Sequence, residues 1–347
     1  MKKQKSVIMV VAKYPTTFGH TSVINYLCKG LNELGYRTAI GAFSFDADPP
    51  FNIEKIKLNK RKLLTTGNSY LDFDIIHAHQ ARVLYYLLSV KPVKPVVFHY
   101  HGASNKVQET NFKMAMWRYK NKISKIISVS YAGIDQMKQL VKDISAEVVY
   151  NGVDTKLFNQ DLPAPYKKGT PQLLFVSGLR KYKKTRILIE SMPSILEKFP
   201  DAHLQIIGDG EDFTVLEDII KEMKLDSRIE LVGKIAQNEL RFYYSSCDLY
   251  ISASTFEVCP VPTLEAMACG KPLVLSDIEP HKEMINISNA GKIFSKSNPE
   301  EISMAVSKVF QDKHNLGISG RKFTELHDWS VISKQMSDIS NQFNLLV

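Results

Sequence analysis

The stretch from Ser254 to Leu275 constrains the fold most, because it predicts a loop, a short helix, a stop and a buried strand in succession. Pro262 suits the first turn of a helix, where a missing N–H leaves no intrahelical bond unmade. Gly270 stands where a left-handed C-terminal cap is expected, and Pro272 lies just beyond it. The apolar residues 273–275 then predict a strand buried on both faces, which is typical of an α/β fold.

Two carboxylates frame this helix. Glu257 lies in the loop before it, and Glu265 is predicted in its first turn. A helix N-terminus presents unpaired N–H groups and a partial positive charge, which suit a phosphate, and an acid beside it can accept hydrogen bonds from sugar hydroxyls. Taken alone, the pair favours a simpler interpretation, in which Glu265 complements the helix dipole and Glu257 is a solvated loop charge.

Length and composition predict an ordinary two-domain protein. A chain of 347 residues exceeds the size that one core usually serves, and 44% apolar and 23% charged residues are typical of globular proteins. The apolar run 7–12 is too short for a signal peptide, so we expect it to be the first parallel strand. The four cysteines lack disulfide or zinc spacing and favour a reducing cytoplasm. They are Cys28, Cys247, Cys259 and Cys269.

Positive charge is concentrated in the first half of the chain. Residues 1–165 hold 23 Lys and Arg against 12 Asp and Glu, a balance of +11, whereas residues 166–347 hold 22 against 24, a balance of −2. A basic half attracts anionic partners. Residues 105–125 mix cations with Met, Trp and Phe, which fits either an interfacial membrane helix or a core-facing helix with lysines outside. Nucleic acid is not expected, since no basic motif with interleaved stacking aromatics is present.

The segment E-V-C-P-V-P-T-L-E-A-M-A-C-G-K-P-L-V, residues 257–274, resembles the E-x7-E signature of the retaining group 1 (family four) glycosyltransferases. These enzymes have the GT-B fold, so the resemblance implies two Rossmann-like parallel-sheet domains facing across a cleft. It also implies transfer of a sugar from a nucleotide-diphosphate sugar to an acceptor hydroxyl with retained configuration. In this chain Val258 stands where many members carry Gly.

The resemblance also implies roles for individual residues. Glu257 would contact the transferred sugar, Glu265 the donor ribose, and Lys183 the diphosphate. The family's G-R-L-x-x-x-K-G motif is shifted here, because Gly178 occupies the position of its Arg and Arg180 follows two residues later. The loop between the two acids would offer backbone N–H groups to the diphosphate. Its members are Val258, Cys259, Pro260 and Val261.

Two predicted strand ends, residues 73–79 and 95–102, resemble the family's D-x-x-H-x-H and H-G segments. Alternate residues of a strand share a face, so His77 pairs with His79, and His99 with His101. His101, before Gly102, is the third predicted catalytic residue with Glu257 and Lys183. No carboxylate or thiol completes a zinc spacing, and we expect no metal and no cofactor. Further implied donor contacts are Gly19, Gly208, Gly210 and Lys234.

The Pro- and Lys-rich segment 162–171 is the best predicted linker. We therefore expect an acceptor-binding domain over 1–165, a donor-binding domain over 166–325, and a C-terminal helix over 326–347 that returns to the first domain. The expected partners are a nucleotide sugar, a glycan or lipid-linked acceptor, and an anionic membrane touched from the cytoplasm at its inner face. Surface polysaccharide or glycolipid synthesis is the expected setting.

Two alternatives stay open. The chain could be a nucleotide-sugar epimerase of the same fold, or a donor-binding partner subunit without turnover. An NAD-type dehydrogenase is disfavoured, because no G-x-G-x-x-G follows the first strand.

Overall fold

In a computed structural model that describes residues 4–16, 20–295 and 298–343, the chain forms two compact units. The first unit comprises Met1–Asn151 and Trp329–Val347, and the second comprises Gly152–Asp328. The final helix, Trp329–Gln342, therefore belongs to the first unit although the second unit precedes it in the chain.

The first unit alternates strands with helices. Its strands are β1 (Ser6–Tyr14), β2 (Arg37–Phe45), β3 (Glu54–Lys57), β4 (Ile75–Ala78), β5 (Val96–Tyr100), β6 (Lys125–Ser128) and β7 (Glu147–Val148). Its helices are α1 (Thr21–Glu33), α2 (Lys60–Thr66), α3 (Ala81–Leu87), α4 (Lys106–Tyr119), α5 (Tyr131–Leu140) and α13 (Trp329–Gln342).

All strand pairs of this unit are parallel, in the order β3-β2-β1-β4-β5-β6-β7. The predicted first strand is β1, whose residues Val7–Val11 are fully buried because helices cover both faces of a parallel sheet. Strand order reverses between β1 and β4, and the carboxyl ends of strands at such a reversal are where open α/β sheets bind ligands.

The second unit repeats the plan. Its strands are β8 (Gln172–Val176), β9 (His203–Ile207), β10 (Ile229–Gly233), β11 (Leu249–Ser252), β12 (Leu273–Ser276) and β13 (Gly291–Phe294). Its helices are α6 (Thr185–Lys198), α7 (Phe213–Glu222), α8 (Gln237–Ser246), α9 (Val261–Ala268), α10 (Glu279–Ser288), α11 (Pro299–Gln311) and α12 (Lys313–Glu325).

The second sheet is also parallel, in the order β10-β9-β8-β11-β12-β13, so its strand order reverses between β8 and β11. This is the strand order of a dinucleotide-binding fold. The prediction of two Rossmann-like parallel-sheet domains is confirmed.

The boundary between the units differs from the predicted one at residue 165. The chain enters the second unit at Gly152, and the Pro- and Lys-rich segment packs within that unit. Just before this segment the ring of Phe158 meets Tyr244 edge-on at 5.7 Å, and within it Tyr166 stacks on Tyr243 at 4.1 Å. These aromatic contacts hold the segment against α8, so its composition alone was a poor indicator of a linker.

The helix α9 ends at the predicted glycine cap but begins earlier in the chain than predicted. Gly270 adopts φ +68°, its N–H donates to Met267 O, and Lys271 N–H donates to Ala266 O, which together form a Schellman cap. The helix starts at Val261, so Glu265 lies in its second turn. The predicted placement of Glu265 in the first turn is wrong, and the helix dipole does not explain this residue.

The helix α4 packs its inner face on the core of the first unit, as the core-facing interpretation predicts. The buried residues of that face are Phe112, Ala115, Met116 and Tyr119. Among the described residues, no helix is both long enough and apolar enough to cross a membrane.

Candidate active site

Two loops of the second unit meet where the strand order reverses. One follows β8 and carries Lys183 in a single 3₁₀ turn, and the other follows β11 and carries Glu257. The carbonyl oxygen of Tyr182 accepts hydrogen bonds from both Thr255 N, at 2.8 Å, and Thr255 Oγ1, at 3.0 Å. These bonds tie the loops together at the carboxyl ends of their strands, the edge at which such sheets bind ligands.

Lys183 and Glu257 form an ion pair across this junction. Lys183 Nζ lies 2.5 Å from Glu257 Oε1, and each side chain is only 14% exposed. Partial burial strengthens the attraction because solvent screens the two charges less than it would at the surface. The structure thus brings together two of the three residues predicted to be catalytic.

His281 lies among the same elements. It is fully buried, and its Nδ1 is 3.1 Å from both the hydroxyl and the carbonyl oxygen of Ser276. Burial lowers the pKa of His281 to about 4, although the charge of Glu257 opposes that shift. The ring is therefore neutral at pH 7. His281 was not among the predicted site residues, because local spacing does not show that it shares an environment with Glu257, 24 positions earlier.

Glu265 is buried on α9, and its Oε2 accepts a 2.8 Å hydrogen bond from the hydroxyl of Tyr244. Burial raises the pKa of Glu265 to about 7, and the bond from Tyr244 partly offsets this. A carboxyl with that pKa changes charge near neutral pH. Tyr244 was not among the predicted site residues, because the contact joins α8 to α9 and depends on tertiary packing.

The two glycines after β9, predicted to contact the donor, stand where the fold has no room for a side chain. A Cβ on Gly208, which has φ +134°, would lie 1.7 Å from Ser177 O, and one on Gly210 would lie 2.2 Å from Leu179 O. Both glycines therefore let this turn approach the backbone of the loop after β8. This intramolecular contact shapes the loop that carries Lys183, and the contact of both glycines with a nucleotide stays a prediction.

The remaining predicted donor contacts are dispersed. Gly178 is exposed in the loop after β8, and Arg180 Nη1 lies 3.4 Å from the hydroxyl of Tyr182. Lys234 is exposed after β10, which is separated from β8 by β9. Gly19 lies outside the described residues.

The segment between the two acids leads directly into α9. Val258, Cys259 and Pro260 are buried, Pro260 is the N-cap, and Val261 is the first helical residue. The hydroxyl of Thr263 donates to Pro260 O at 2.7 Å, which fixes the first turn. The predicted order of loop, helix N-terminus and second acid is present.

The first unit holds a separate cluster of histidines where its strand order reverses. His77 Nδ1 lies 2.8 Å from His99 Nε2, and His79 Nδ1 lies 2.9 Å from His101 Nε2. The ring of His20, at the start of α1, stacks on His101 at 4.8 Å. Alternate histidines share a face as predicted, but their hydrogen bonds run between β4 and β5 and the segments that follow them.

Burial keeps these histidines neutral. It lowers the pKa of His77 to about 3 and lowers the pKa values of His79, His99 and His101 well below the usual range. Ring nitrogens of His77, His79 and His99 all lie within 4.8 Å of one another, so these three could ligate a metal ion. The hydrogen bond between His77 and His99 accounts for that pair without one. His101 is the partly exposed member.

The model for group 1 glycosyl transferases matches residues 160–323, and the model for glycosyltransferase family 4 matches residues 19–157. Together they account for most of the chain. The chain therefore belongs to the group 1, family four glycosyltransferases.

Curated relatives agree with this assignment. An uncharacterized glycosyltransferase of Methanocaldococcus jannaschii is 26% identical over 285 residues, which cover 80% of this chain and 76% of the relative. Phosphatidyl-myo-inositol mannosyltransferase of Mycolicibacterium smegmatis is 27% identical over 280 residues, covering 76% of this chain and 70% of the relative.

Solved structures show the fold. Sucrose-phosphate synthase of Thermosynechococcus elongatus superposes with a TM-score of 0.80 at 18% identity, covering 98% of this chain and 99% of that one. Anabaena HepE in complex with UDP and glucose gives a TM-score of 0.81 at 18% identity, covering 98% and 100%. The chain has the GT-B fold.

Proposed function

We propose that this chain transfers a sugar from a nucleoside-diphosphate sugar to an acceptor hydroxyl, with retention of configuration. The observation that carries the proposal is the ion pair between Lys183 and Glu257 at the strand-order reversal, beside the helix that bears Glu265. A cation next to an acid suits a ligand whose phosphate and sugar are adjacent. The HepE structures with UDP, UDP-glucose and glucose support a ligand of this class.

In this proposal the loop after β8 receives the diphosphate. Negative charge grows on the departing diphosphate in the transition state, and a preorganised cation stabilises it most when solvent is partly excluded. Lys183 meets that requirement, and Arg180 adds a second charge in the same loop. Glu257 then contacts the sugar, and Glu265 accepts hydrogen bonds from the ribose. The N-terminus of α9 offers the phosphates its partial positive charge.

We propose that the reaction needs neither a dedicated base nor a metal ion. The departing phosphate assists deprotonation of the acceptor on the same face, as the family implies, while Lys183 stabilises the charge. Activity in a metal-free buffer with excess chelator should equal the activity with Mg²⁺. A loss of activity that Mg²⁺ or Zn²⁺ restores would reject this part of the proposal.

We propose a glycolipid or surface polysaccharide precursor as the acceptor. Two relatives carry names that point to lipids, the phosphatidyl-myo-inositol mannosyltransferase above and the alpha-monoglucosyldiacylglycerol synthase of Acholeplasma laidlawii. The charge balance of +11 over residues 1–165 suits an anionic lipid surface. His101, partly exposed at the end of β5, would contact the acceptor or the sugar.

The test begins with a thermal-shift screen of nucleotide sugars, because a bound donor raises the unfolding temperature by mass action. The donor found is then incubated with lipid-linked acceptors, and products are identified by mass spectrometry and NMR. We expect a glycosylated product with retained configuration. Epimerised donor formed without acceptor, or binding without turnover, would overturn the proposal in favour of an epimerase or a partner subunit.

Glu257→Gln should lower the transfer rate by about a hundredfold or more, since it removes a charge placed at the reacting sugar. Glu279→Gln is the matched control, because this exposed acid on α10 pairs with surface Lys282. Glu279→Gln should keep the wild-type unfolding temperature, whereas Glu257→Gln should lower it because Lys183 loses its partner, so circular dichroism must show that the latter variant is folded at the assay temperature. Equal rates for the two variants would contradict the role of Glu257.

A further inference from the structure

The outer face of α4 is apolar although the inner face already packs on the core. Val107 is 71% exposed, Met114 54% and Trp117 84%. Their spacing of seven and then three residues places them in one stripe along the helix. A tryptophan exposed to this degree contributes almost nothing to folding, because it buries so little of its apolar surface.

A row of lysines runs beside this stripe. Lys106, Lys113 and Lys120 recur every seven residues and therefore fall on one side of it, while Arg118 lies on the other side. Residues 106–125 contain six Lys and Arg and a single acid, Glu109. The apolar stripe is thus bordered by positive charge along its length.

A shallow groove of about 400 Å³ adjoins the end of this face. Its charged side chains are all cations, and its apolar wall includes the end of α5. The lining residues are Lys113, Met116, Trp117, Arg118, Lys120, Asn121, Leu140 and Val141. A groove with cations at its rim and apolar side chains at its wall suits the phosphate and glycerol of a lipid headgroup.

The neighbouring acids do not cancel this charge. Glu109 is half-buried on the first turn of α4, and Asp135 and Asp143 are exposed on and after α5. Lys120 Nζ donates to the carbonyl oxygen of Asp143 at 3.1 Å, which holds one lysine of the row near the groove. Exposed Lys138 and Lys142 add positive charge on the same segment.

We propose that the outer face of α4 is a docking surface for an anionic lipid bilayer, with Trp117 among the headgroups and Lys106 and Lys113 at lipid phosphates. Tryptophan concentrates at the membrane–water interface, and lysines can extend their apolar stems past it while their charges stay in water. A protein groove would select for shape and hydrogen bonding, whereas a narrow apolar stripe bordered by lysines matches a fluid anionic surface. The inference does not depend on which sugar is transferred.

The test uses the full chain without donor and vesicles of phosphatidylcholine, alone or mixed equally with phosphatidylglycerol. The chain has two tryptophans, and Trp329 is already buried at 6% exposure. Anionic vesicles should therefore shift the emission of Trp117 to shorter wavelength, and Trp117→Phe should abolish that shift. Pure phosphatidylcholine should give little binding, and about 1 M NaCl should weaken binding to the mixed vesicles by shortening the screening length to about 3 Å.

The double variant Lys106→Gln/Lys113→Gln should bind mixed vesicles about 30-fold more weakly, or about fivefold per lysine. The matched control is Lys198→Gln/Lys308→Gln, which changes two exposed lysines of the second unit and should bind as the wild type does. Equal partition of the two double variants, or an emission spectrum that anionic vesicles leave unchanged, would overturn the proposal. Both measurements omit donor and acceptor, so their failure would leave the proposed transferase activity unaffected.

Discussion

Gly208 shows how one residue without a side chain shapes the candidate site through backbone packing. Its φ of +134° is disfavoured for any side chain, and an added Cβ would meet Ser177 O at 1.7 Å. We predict that Gly208→Ala lowers the free energy of unfolding by about 4 kcal/mol, the range of severe steric and backbone strain. Differential scanning calorimetry would measure this.

Gly178→Ala is the control for that prediction. Its Cβ would find Asp209 O as the nearest atom within contact range, at 3.9 Å, so the unfolding temperature should stay unchanged. If Gly178→Ala destabilises the protein as much as Gly208→Ala does, then steric contact with the loop after β8 does not explain why position 208 requires glycine.

Glu265 should make donor binding depend on pH. Its pKa is raised to about 7 by burial, and only the ionised carboxylate accepts hydrogen bonds from two ribose hydroxyls. We expect the affinity for a nucleotide sugar to rise about tenfold from pH 6 to pH 8 as the carboxyl ionises. The diphosphate diester of the ligand has no group that titrates in this range, so calorimetric titration reports the protein.

Tyr244→Phe tests the cause of this dependence. The Tyr244 hydroxyl stabilises the ionised form of Glu265, so its loss should move the midpoint of the affinity curve to higher pH. Glu265→Gln should flatten the curve. A midpoint that stays in place in Tyr244→Phe would show that the hydroxyl does not influence the carboxyl, whatever its effect on stability.

Among single residues, the sequence predicted which candidate site residues lie together better than it predicted their neighbours. The motif around Glu257 and the lysine after β8 were both found, and the structure joins them in an ion pair. Tyr244 and His281 were not found as site residues. Their relevance arises from packing between helices and strands far apart in the chain, which local spacing does not encode.

Among the elements, β4 and β5 together create the histidine cluster. Burial depresses the folded-state pKa of His77 to about 3 and lowers the pKa values of His79, His99 and His101 well below the usual range, whereas unfolded histidine titrates near 6.5. Below pH 6.5 the unfolded chain therefore binds protons that the folded chain does not. Stability is present above that pH and falls as pH decreases, by up to about 1.4 kcal/mol per pH unit for each histidine.

Urea unfolding followed by tryptophan fluorescence tests this dependence. Both tryptophans, Trp117 and Trp329, belong to the first unit, so the signal reports that unit. We expect the free energy of unfolding to fall steeply from pH 7 to pH 5, and His77→Gln to reduce the slope by about one proton. His314→Gln changes the second unit, which the tryptophan signal does not report, and should leave the measured slope unchanged. A slope near zero in the wild type would contradict the prediction.

Elements were predictable where the signal was local. Apolar runs predicted the parallel strands, and Gly270 predicted the end of α9. Buried strands consist of consecutive apolar residues, and a left-handed cap favours glycine. The hydrogen bonds between histidines were not predictable, since they depend on the register of β4 against β5. Segment 162–171 was predicted to be a linker from its composition, but it packs within the second unit. The stacking of Tyr166 on Tyr243 depends on tertiary structure, which the composition does not show.

In the molecule as a whole, the last helix, α13, packs in the first unit and completes it. Trp329 stacks on Tyr26 at 5.5 Å, and a Cβ on Gly30 would lie 2.0 Å from Ser333 Oγ, so α1 and α13 pack closely. A chain that ends at Asp328 loses several buried apolar side chains, each contributing about 2 kcal/mol. They are Trp329, Ile332, Met336 and Ile339.

We therefore predict that the chain ending at Asp328 unfolds in two separate transitions, with the first unit much less stable. Binding of the nucleotide sugar should survive, because the second unit alone holds Lys183, Glu257 and Glu265. Transfer should be lost. Calorimetry with and without donor measures both effects, and a single transition at the wild-type temperature would contradict the structural role of α13.

The closing helix also sets an order of events during synthesis. The parallel bridge between Val153 and Asp328 places the point where the chain enters the second unit beside the point where it leaves. A nascent chain can therefore complete its second half while its first half still waits for the last helix to emerge from the ribosome. The unit that begins earlier in the chain is thus completed later, and its exposed α1 surface is what a chaperone would meet in the interval.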